Sequence, residues 1–110
     1  MQRTQCIRSA FWCGAVKPGM ESSFRQTMDS VLIPLLRGIP GVKDANCLWP
    51  TLREDNPPAV VCQVLVEFAS RDDLATMLSS PERASMRAHV VGLKEMFDGA
   101  LSHIEFDVSH

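Results

Sequence analysis

Residues 59–70 read AVVCQVLVEFAS, and this stretch decides the fold. It is rich in β-branched residues, and only Gln63 and Glu67 interrupt its apolar run, which is typical of a strand. Ser70 then supplies an N-cap side chain for a helix whose first turn is acidic. We therefore predict a strand at residues 59–69 that leads directly into a helix.

The other helices and strands are predicted from the spacing of apolar residues in the flanking sequence, and their ends from glycine and proline. Proline within a helix removes a backbone donor, so one predicted helix is expected to be interrupted. The predicted elements are a strand at residues 5–16, a helix around residues 24–36 interrupted near residues 30–34 by Pro34, a strand at residues 42–49, a helix from Ser80-Pro81 to Asp98-Gly99, and a last strand at residues 101–108.

The order β-α-β-β-α-β indicates one α+β domain spanning residues 1–110. Right-handed crossovers favour a ferredoxin-like fold, a four-stranded antiparallel sheet in the order 4-1-3-2 with two helices on one face. The other sheet face then lacks a cover within the monomer, and soluble monomers rarely expose an apolar patch of that size. We therefore expect a second copy of the chain to cover it, which makes a homodimeric α+β barrel.

Composition argues against several classes of partner. The net charge is −2 with a pI near 5.8, so no basic stripe is available to neutralise the phosphates of nucleic acid. The apolar runs are far shorter than the ~20 residues that cross a bilayer. We expect no nucleic acid and no membrane as partners, and a cytoplasmic location.

Metals and cofactors are also not expected. The four cysteines, Cys6, Cys13, Cys47 and Cys62, form no C-x-x-C pair, so we interpret them as reduced thiols and not as metal ligands. His89 is the one helical histidine that could serve haem as an axial ligand, and we do not favour that role. Neither the glycine positions nor the order of Ser, His and Asp matches a phosphate loop or a serine hydrolase.

Two short motifs resemble a known family. Residues 32–35 (LIPL) followed by residues 39–42 (IPGV), and residues 66–70 (VEFAS) followed by residues 79–81 (SSP), are similar to the EthD-like branch of the dimeric α+β barrel superfamily. That superfamily includes cofactor-independent monooxygenases, haem-degrading enzymes, lactone isomerases and proteins without an assigned activity. The branch carries a first-helix histidine where this chain has Leu32, and the chain contains no tyrosine to replace it.

Strand alternation predicts which side chains turn away from the helices. In strand three, the unbroken apolar set Cys62, Val64, Val66 and Phe68 is expected to pack under the helices. In strand one, Ile7, Phe11 and Cys13 are expected to pack there as well. In strand four, Ile104 and Phe106 are expected to do the same. The polar residues that remain are predicted to form a cluster on one wall of a cavity, joined by Trp49 from strand two. The cluster consists of Arg8, Trp12, Gln63, Glu67, His103 and Glu105.

Two interpretations of this cluster stay open. In the first, Arg8 and Glu67 form an ordinary ion pair. In the second, Arg8 binds a carboxylate or enolate oxygen while His103, whose ordinary pKa is near neutral, moves a proton. Convergence of His103 and Arg8 on a concave pocket would favour the second interpretation.

The predicted function is accordingly a homodimer in which each subunit binds a small aromatic or carboxylated molecule in a cavity between sheet and helices, without catalysis. The alternative is a cofactor-independent monooxygenase or isomerase of a catabolic pathway. In that case His103 would act as base and Arg8 as oxyanion partner, with ligand contacts from the rest of the cluster.

Overall fold

The computed structural model describes residues 2–110, which form a four-stranded sheet and helices, with a long connection at residues 49–59. A π-helical turn, Met28–Leu32, connects the first two helices. The elements are β1 (Cys6–Val16), α1 (Glu21–Thr27), α2 (Ile33–Arg37), β2 (Asp44–Leu48), β3 (Val60–Phe68), α3 (Arg71–Ser79), α4 (Pro81–Glu95) and β4 (Phe97–Asp107).

The sheet has the order β2-β3-β1-β4, and every pair of neighbouring strands is antiparallel. This confirms the predicted α+β, ferredoxin-like topology in the order 4-1-3-2. Apolar residues from one sheet face and from the helices share a single buried core. In β3 this face carries Cys62, Val64, Val66 and Phe68, all at most 5% exposed, as the alternation predicted.

The first helical segment is interrupted where the proline predicted it. Pro34 has no backbone N–H, so the carbonyl of Ser30 lacks its usual helical donor four residues later. The backbone widens into the π-helical turn Met28–Leu32 immediately before this point and then continues as α2. Met28 and Leu32 are buried, so the interruption leaves the apolar face of the segment continuous.

Serine caps begin both helices of the second crossover. The Oγ atom of Ser70 accepts a hydrogen bond from the backbone N–H of Asp73 at 3.1 Å. The Oγ atom of Ser80 accepts one from the N–H of Arg83 at 3.2 Å. Each cap satisfies a backbone donor that would otherwise lack a partner within the helix, so these boundaries could be predicted from local sequence.

The end of α4 differs from the prediction. The helix ends at Glu95. Phe97, which was predicted to lie in this helix, instead begins β4 and is paired with Val16. Gly14 and Gly99 face one another across this ladder with φ angles of +138° and +151°. The backbones of β1 and β4 approach closely at these glycines. Asp98 and Gly99 therefore belong to the strand, and they do not terminate the helix as predicted.

An aromatic cluster anchors the sheet to the first helix. Trp12 is 1% exposed, and its ring lies edge-on to Phe24 and Phe97 at centroid distances of 5.4 and 5.3 Å. Such pairs contribute roughly 0.5–1.5 kcal/mol each beyond the burial of their surface. The cluster therefore holds β1, α1 and β4 together at one end of the domain.

The four cysteines, all within the described residues, are free thiols. Cys6 and Cys62 are buried under the helices, while Cys13 and Cys47 are half-buried. Burial raises the pKa of Cys6. The pKa of Cys47 is also raised, through a hydrogen bond with Cys62 and through burial.

Replacing Gly99 by alanine should destabilise the fold by at least about 2 kcal/mol, because the new Cβ would collide with the carbonyl oxygen of Cys13 at a positive φ. Gly92→Ala is the matched control. A Cβ there meets no other described atom within 4 Å, and alanine should stabilise α4 by about 1 kcal/mol. Urea unfolding of both variants measures the difference, and equal midpoints would contradict the close approach of β1 and β4.

Candidate functional site

A cavity of about 320 Å³ lies between the sheet and α4. It exists because α4 fills little of the space above the strands. Of its fifteen residues, all of them described, only Leu93 is buried, and Val91 is 54% exposed. The side chains that line the cavity are those of Arg8, Ala10, Trp12, Leu32, Leu36, Val64, Val66, Met77, Arg83, Met86, Arg87, Val90, Val91, Lys94, Leu101 and His103.

Three of the predicted site residues, Arg8, Trp12 and His103, are brought together in this cavity. They reach it from the sheet face that the helices cover, whereas the alternation predicted the opposite face. The register shows this directly, since His103 and Val64 are the two Cα partners of Ala10, and Val64 is buried beneath the helices. The face assignments for strands one and four were therefore wrong.

Both errors have the same physical cause. The prediction assumed that the apolar residues of a strand always point towards the helices. In β4 the reverse holds, since Ile104 and Phe106 lie on the open sheet face, 49% and 40% exposed, opposite Ser9 and Ile7. β1 has apolar residues on both faces because it is central in the sheet, so the alternation of its residues does not show which face points towards the helices.

Gln63 and Glu67 lie on the open face and do not reach the cavity. The side-chain amide of Gln63 donates to Ser9 Oγ at 3.1 Å, and Glu67 accepts from the hydroxyl of Thr4 at 2.8 Å. Their predicted position opposite the helices was right for β3. His103 lies on the opposite, helix-covered face, so the predicted grouping of Gln63 and Glu67 with His103 was wrong.

Trp49 also stands apart from the cavity. Its indole N–H donates to Asp29 at 3.1 Å, and the Arg25 guanidinium lies 4.6 Å from its ring centroid. Its ring meets Phe24 edge-on at 6.2 Å. These contacts fix the end of β2 against the first helical segment.

Arg8 forms its ion pair with Glu105 and not with Glu67. The distance between Arg8 Nη1 and Glu105 Oε2 is 2.9 Å, and the two side chains are 20% and 32% exposed. Arg71, at the start of α3, approaches the other carboxylate oxygen of Glu105 at 3.7 Å. Glu105 therefore neutralises Arg8 at the edge of the cavity without lining it.

His103 stands among positive charges. Burial lowers its pKa below the ordinary value of 6.5, and Arg8, Arg83 and Lys94 lower it further because they repel the imidazolium form. The pKa of Arg83 is lowered too, first by burial and then by Arg8 and Arg87. At neutral pH the imidazole of His103 is thus uncharged and can accept or donate a proton.

The sequence prediction missed the basic residues that α4 contributes, Arg83, Arg87 and Lys94. A signal for them was present in the sequence, because Met86, Val90 and Leu93 form an apolar stripe at helical spacing. Each of the three basic residues is adjacent in sequence to a residue of this stripe or lies one helical turn from it. Side chains that flank an apolar stripe border whatever that stripe covers. Here it covers the cavity.

Within residues 2–110, no group of three His, Cys, Asp or Glu side chains is arranged to hold a metal ion. No helix in the same residues has the length and apolar character needed to cross a membrane.

No protein-family model and no curated protein matches the chain. Solved structures do match it. An ethyl tert-butyl ether D (EthD) family protein from Bacillus halodurans C-125 superimposes with a TM-score of 0.74 at 12% identity, covering 96% of this chain and 99% of its own. A dimeric protein of unknown function with a ferredoxin-like fold, from Bacteroides fragilis NCTC 9343, gives 0.67 at 11% identity, covering 98% and 100%.

A third match is SnoaB, a cofactor-independent oxygenase from Streptomyces nogalater, with a TM-score of 0.60 at 13% identity over 96% of this chain and 92% of its own. At such identities the likeness concerns the fold. The predicted resemblance in fold to ferredoxin-like proteins and to an EthD family protein is confirmed.

The histidine resonances should report the charge around the cavity. In an NMR titration we expect His103 to have a pKa below 6.5, and Arg8→Gln to raise that pKa, because one repelling charge is removed and Glu105 loses its partner. Arg3→Gln, which removes a positive charge outside the cavity, is the matched control and should leave the pKa of His103 unchanged. A His103 pKa at or above 6.5 in the unmodified protein would contradict this electrostatic description.

Proposed function

Because the chain shares the fold of the EthD family protein and of a dimeric ferredoxin-like protein, we propose that it is a homodimeric α+β barrel that binds a small organic molecule in the cavity of each subunit. The cavity between sheet and helices is the observation that carries this proposal. Its volume and its mainly apolar lining are those of sites that enclose small molecules. The proposed role is binding without catalysis, as in an accessory protein.

The open sheet face supports the homodimer. Leu48, Ile104 and Phe106 lie on it, between 40% and 49% exposed, around the buried Ser9 at its centre. Apolar side chains from both edge strands, β2 and β4, are thus partly exposed on the face that no helix covers. A second copy presenting the same face would remove these side chains from water, and a two-fold axis makes the contact self-complementary.

Ile104→Glu should convert the proposed dimer to monomer. The carboxylate would have to be buried without a partner in the sheet-to-sheet contact, at a cost of at least about 3 kcal/mol. Leu52→Glu adds the same charge at a loop position that is 75% exposed and should leave the mass unchanged. Light scattering measures both, and an unmodified protein that is monomeric at micromolar concentration would overturn the proposed dimer.

Two features favour binding over catalysis. Leu32, at the position where the EthD-like branch is expected to carry a histidine, lines the cavity with an apolar side chain. Arg8 already has a carboxylate partner in Glu105, so it is less available to stabilise an oxyanion. Apart from His103 and basic side chains, the described lining residues offer no carboxyl, thiol or hydroxyl group that could take part in catalysis.

Enlarging Ala10 on the cavity floor should block binding. Native mass spectrometry and protein-observed NMR with a panel of one- and two-ring aromatic compounds, charged and neutral, should identify ligands of the unmodified protein. Ala10→Leu should weaken those ligands by about tenfold or more, because its side chain occupies the space they need. Ala15→Leu, on an exposed position of the same strand outside the cavity, is the control. Ligands that are unaffected by Ala10→Leu would place the binding site elsewhere.

An enzyme remains the second candidate because His103 and Arg8 line the same cavity, the convergence that would favour a cofactor-independent monooxygenase or isomerase. His103 would act as base and Arg8 as oxyanion partner. Liquid chromatography coupled to mass spectrometry, which also separates isomers of equal mass, distinguishes the two candidates when a ligand from the panel is incubated with the protein in air. Conversion to an oxygenated or isomeric product would replace the binding role by the enzymatic one.

A further inference from the structure

The charged side chains that line the cavity are all positive. Arg8, Arg83, Arg87 and Lys94 line it, whereas no Asp or Glu of the described residues does. The chain as a whole has a net charge of −2, so this set is a local reversal of the overall balance. Positively charged side chains beside apolar walls attract anions into the cavity.

The charged residues of α4 are divided between its sides. Its three basic residues line the cavity, whereas its two acidic residues, Glu82 and Glu95, do not. Glu82 borders a separate depression with Ser85 and His89. A helix face that served only for solubility would carry both signs interspersed. This division is therefore better explained by something that the cavity receives.

The basic residues of α4 also lack internal neutralisation. Arg8 is paired with Glu105, but among the described residues no carboxylate lies within 4.0 Å of Arg83, Arg87 or Lys94. The Arg83 guanidinium makes one long hydrogen bond, 3.4 Å, to the carbonyl of Leu78. Mutual repulsion among these cations is consistent with the lowered pKa of Arg83.

We propose that the ligand of this cavity is an organic anion, with an apolar body against the sheet and a negatively charged group held by Arg83, Arg87 and Lys94 of α4. This inference rests on the proposed small-molecule binding and specifies its ligand class. The residues of α4 are assigned this role because they have no carboxylate partner within residues 2–110, whereas Arg8 already forms an ion pair with Glu105. The cavity volume, about 320 Å³, lies in the range of sites that hold small organic molecules.

The test compares 2-naphthoate with its neutral isostere 2-naphthamide by titration calorimetry. The acid should bind at least about tenfold more tightly than the amide, and its affinity should fall as salt is raised while that of the amide does not. The double variant Arg87→Gln/Lys94→Gln should remove most of this difference. Arg3→Gln/Lys17→Gln, which loses the same charge outside the cavity, should preserve it. 2-Naphthyl phosphate, compared with the acid, shows which kind of anionic group is preferred.

Equal affinities for acid and amide would overturn the anion and leave the proposed small-molecule binding intact. A preference for the acid that survives Arg87→Gln/Lys94→Gln would overturn the role of α4. If neither compound binds, this inference fails, and the aromatic panel with Ala10→Leu decides separately whether the cavity binds any small molecule.

Discussion

β1 forms hydrogen-bonded ladders with β3 on one side and with β4 on the other, so a single register aligns the three longest strands. Residues 6–13 of β1 therefore have a cross-strand neighbour on both sides, whereas residues 14–16 are paired with β4 alone. Ala10, for example, joins Val64 and His103 in one row under the helices. The cavity floor is a direct product of this alignment.

The cavity itself depends on how incompletely α4 covers that floor. Most helices of a small domain bury an apolar stripe, but α4 buries only Leu93 completely among its described residues. The aromatic cluster around Trp12 closes one end of the space, and the Arg8–Glu105 pair lies at an edge. Between them, half-buried side chains leave room that protein atoms do not fill, under a row of positive charges.

Much of the fold could be predicted because its signals are local. Ser70 and Ser80 cap helices through their own side chains, Pro34 interrupts a helix by lacking an N–H, and the alternation of β3 separates a buried face from an open one. The candidate site could be predicted only in part. Arg8, Trp12 and His103 were named, but on the wrong sheet face, and the basic residues of α4 were not connected with them.

The sequence by itself determined the order of elements, the antiparallel topology and the existence of an apolar sheet face without a helix, because period, caps and turns act over a few residues. Only the tertiary structure decided which way β1 and β4 turn. When a strand has apolar residues on both faces, its own sequence does not determine which face points towards the helices. Pairing with other strands decides this, and pairing depends on residues distant in sequence. That long-range choice puts His103 under α4, among positive charges, and leaves Ile104 on the open face.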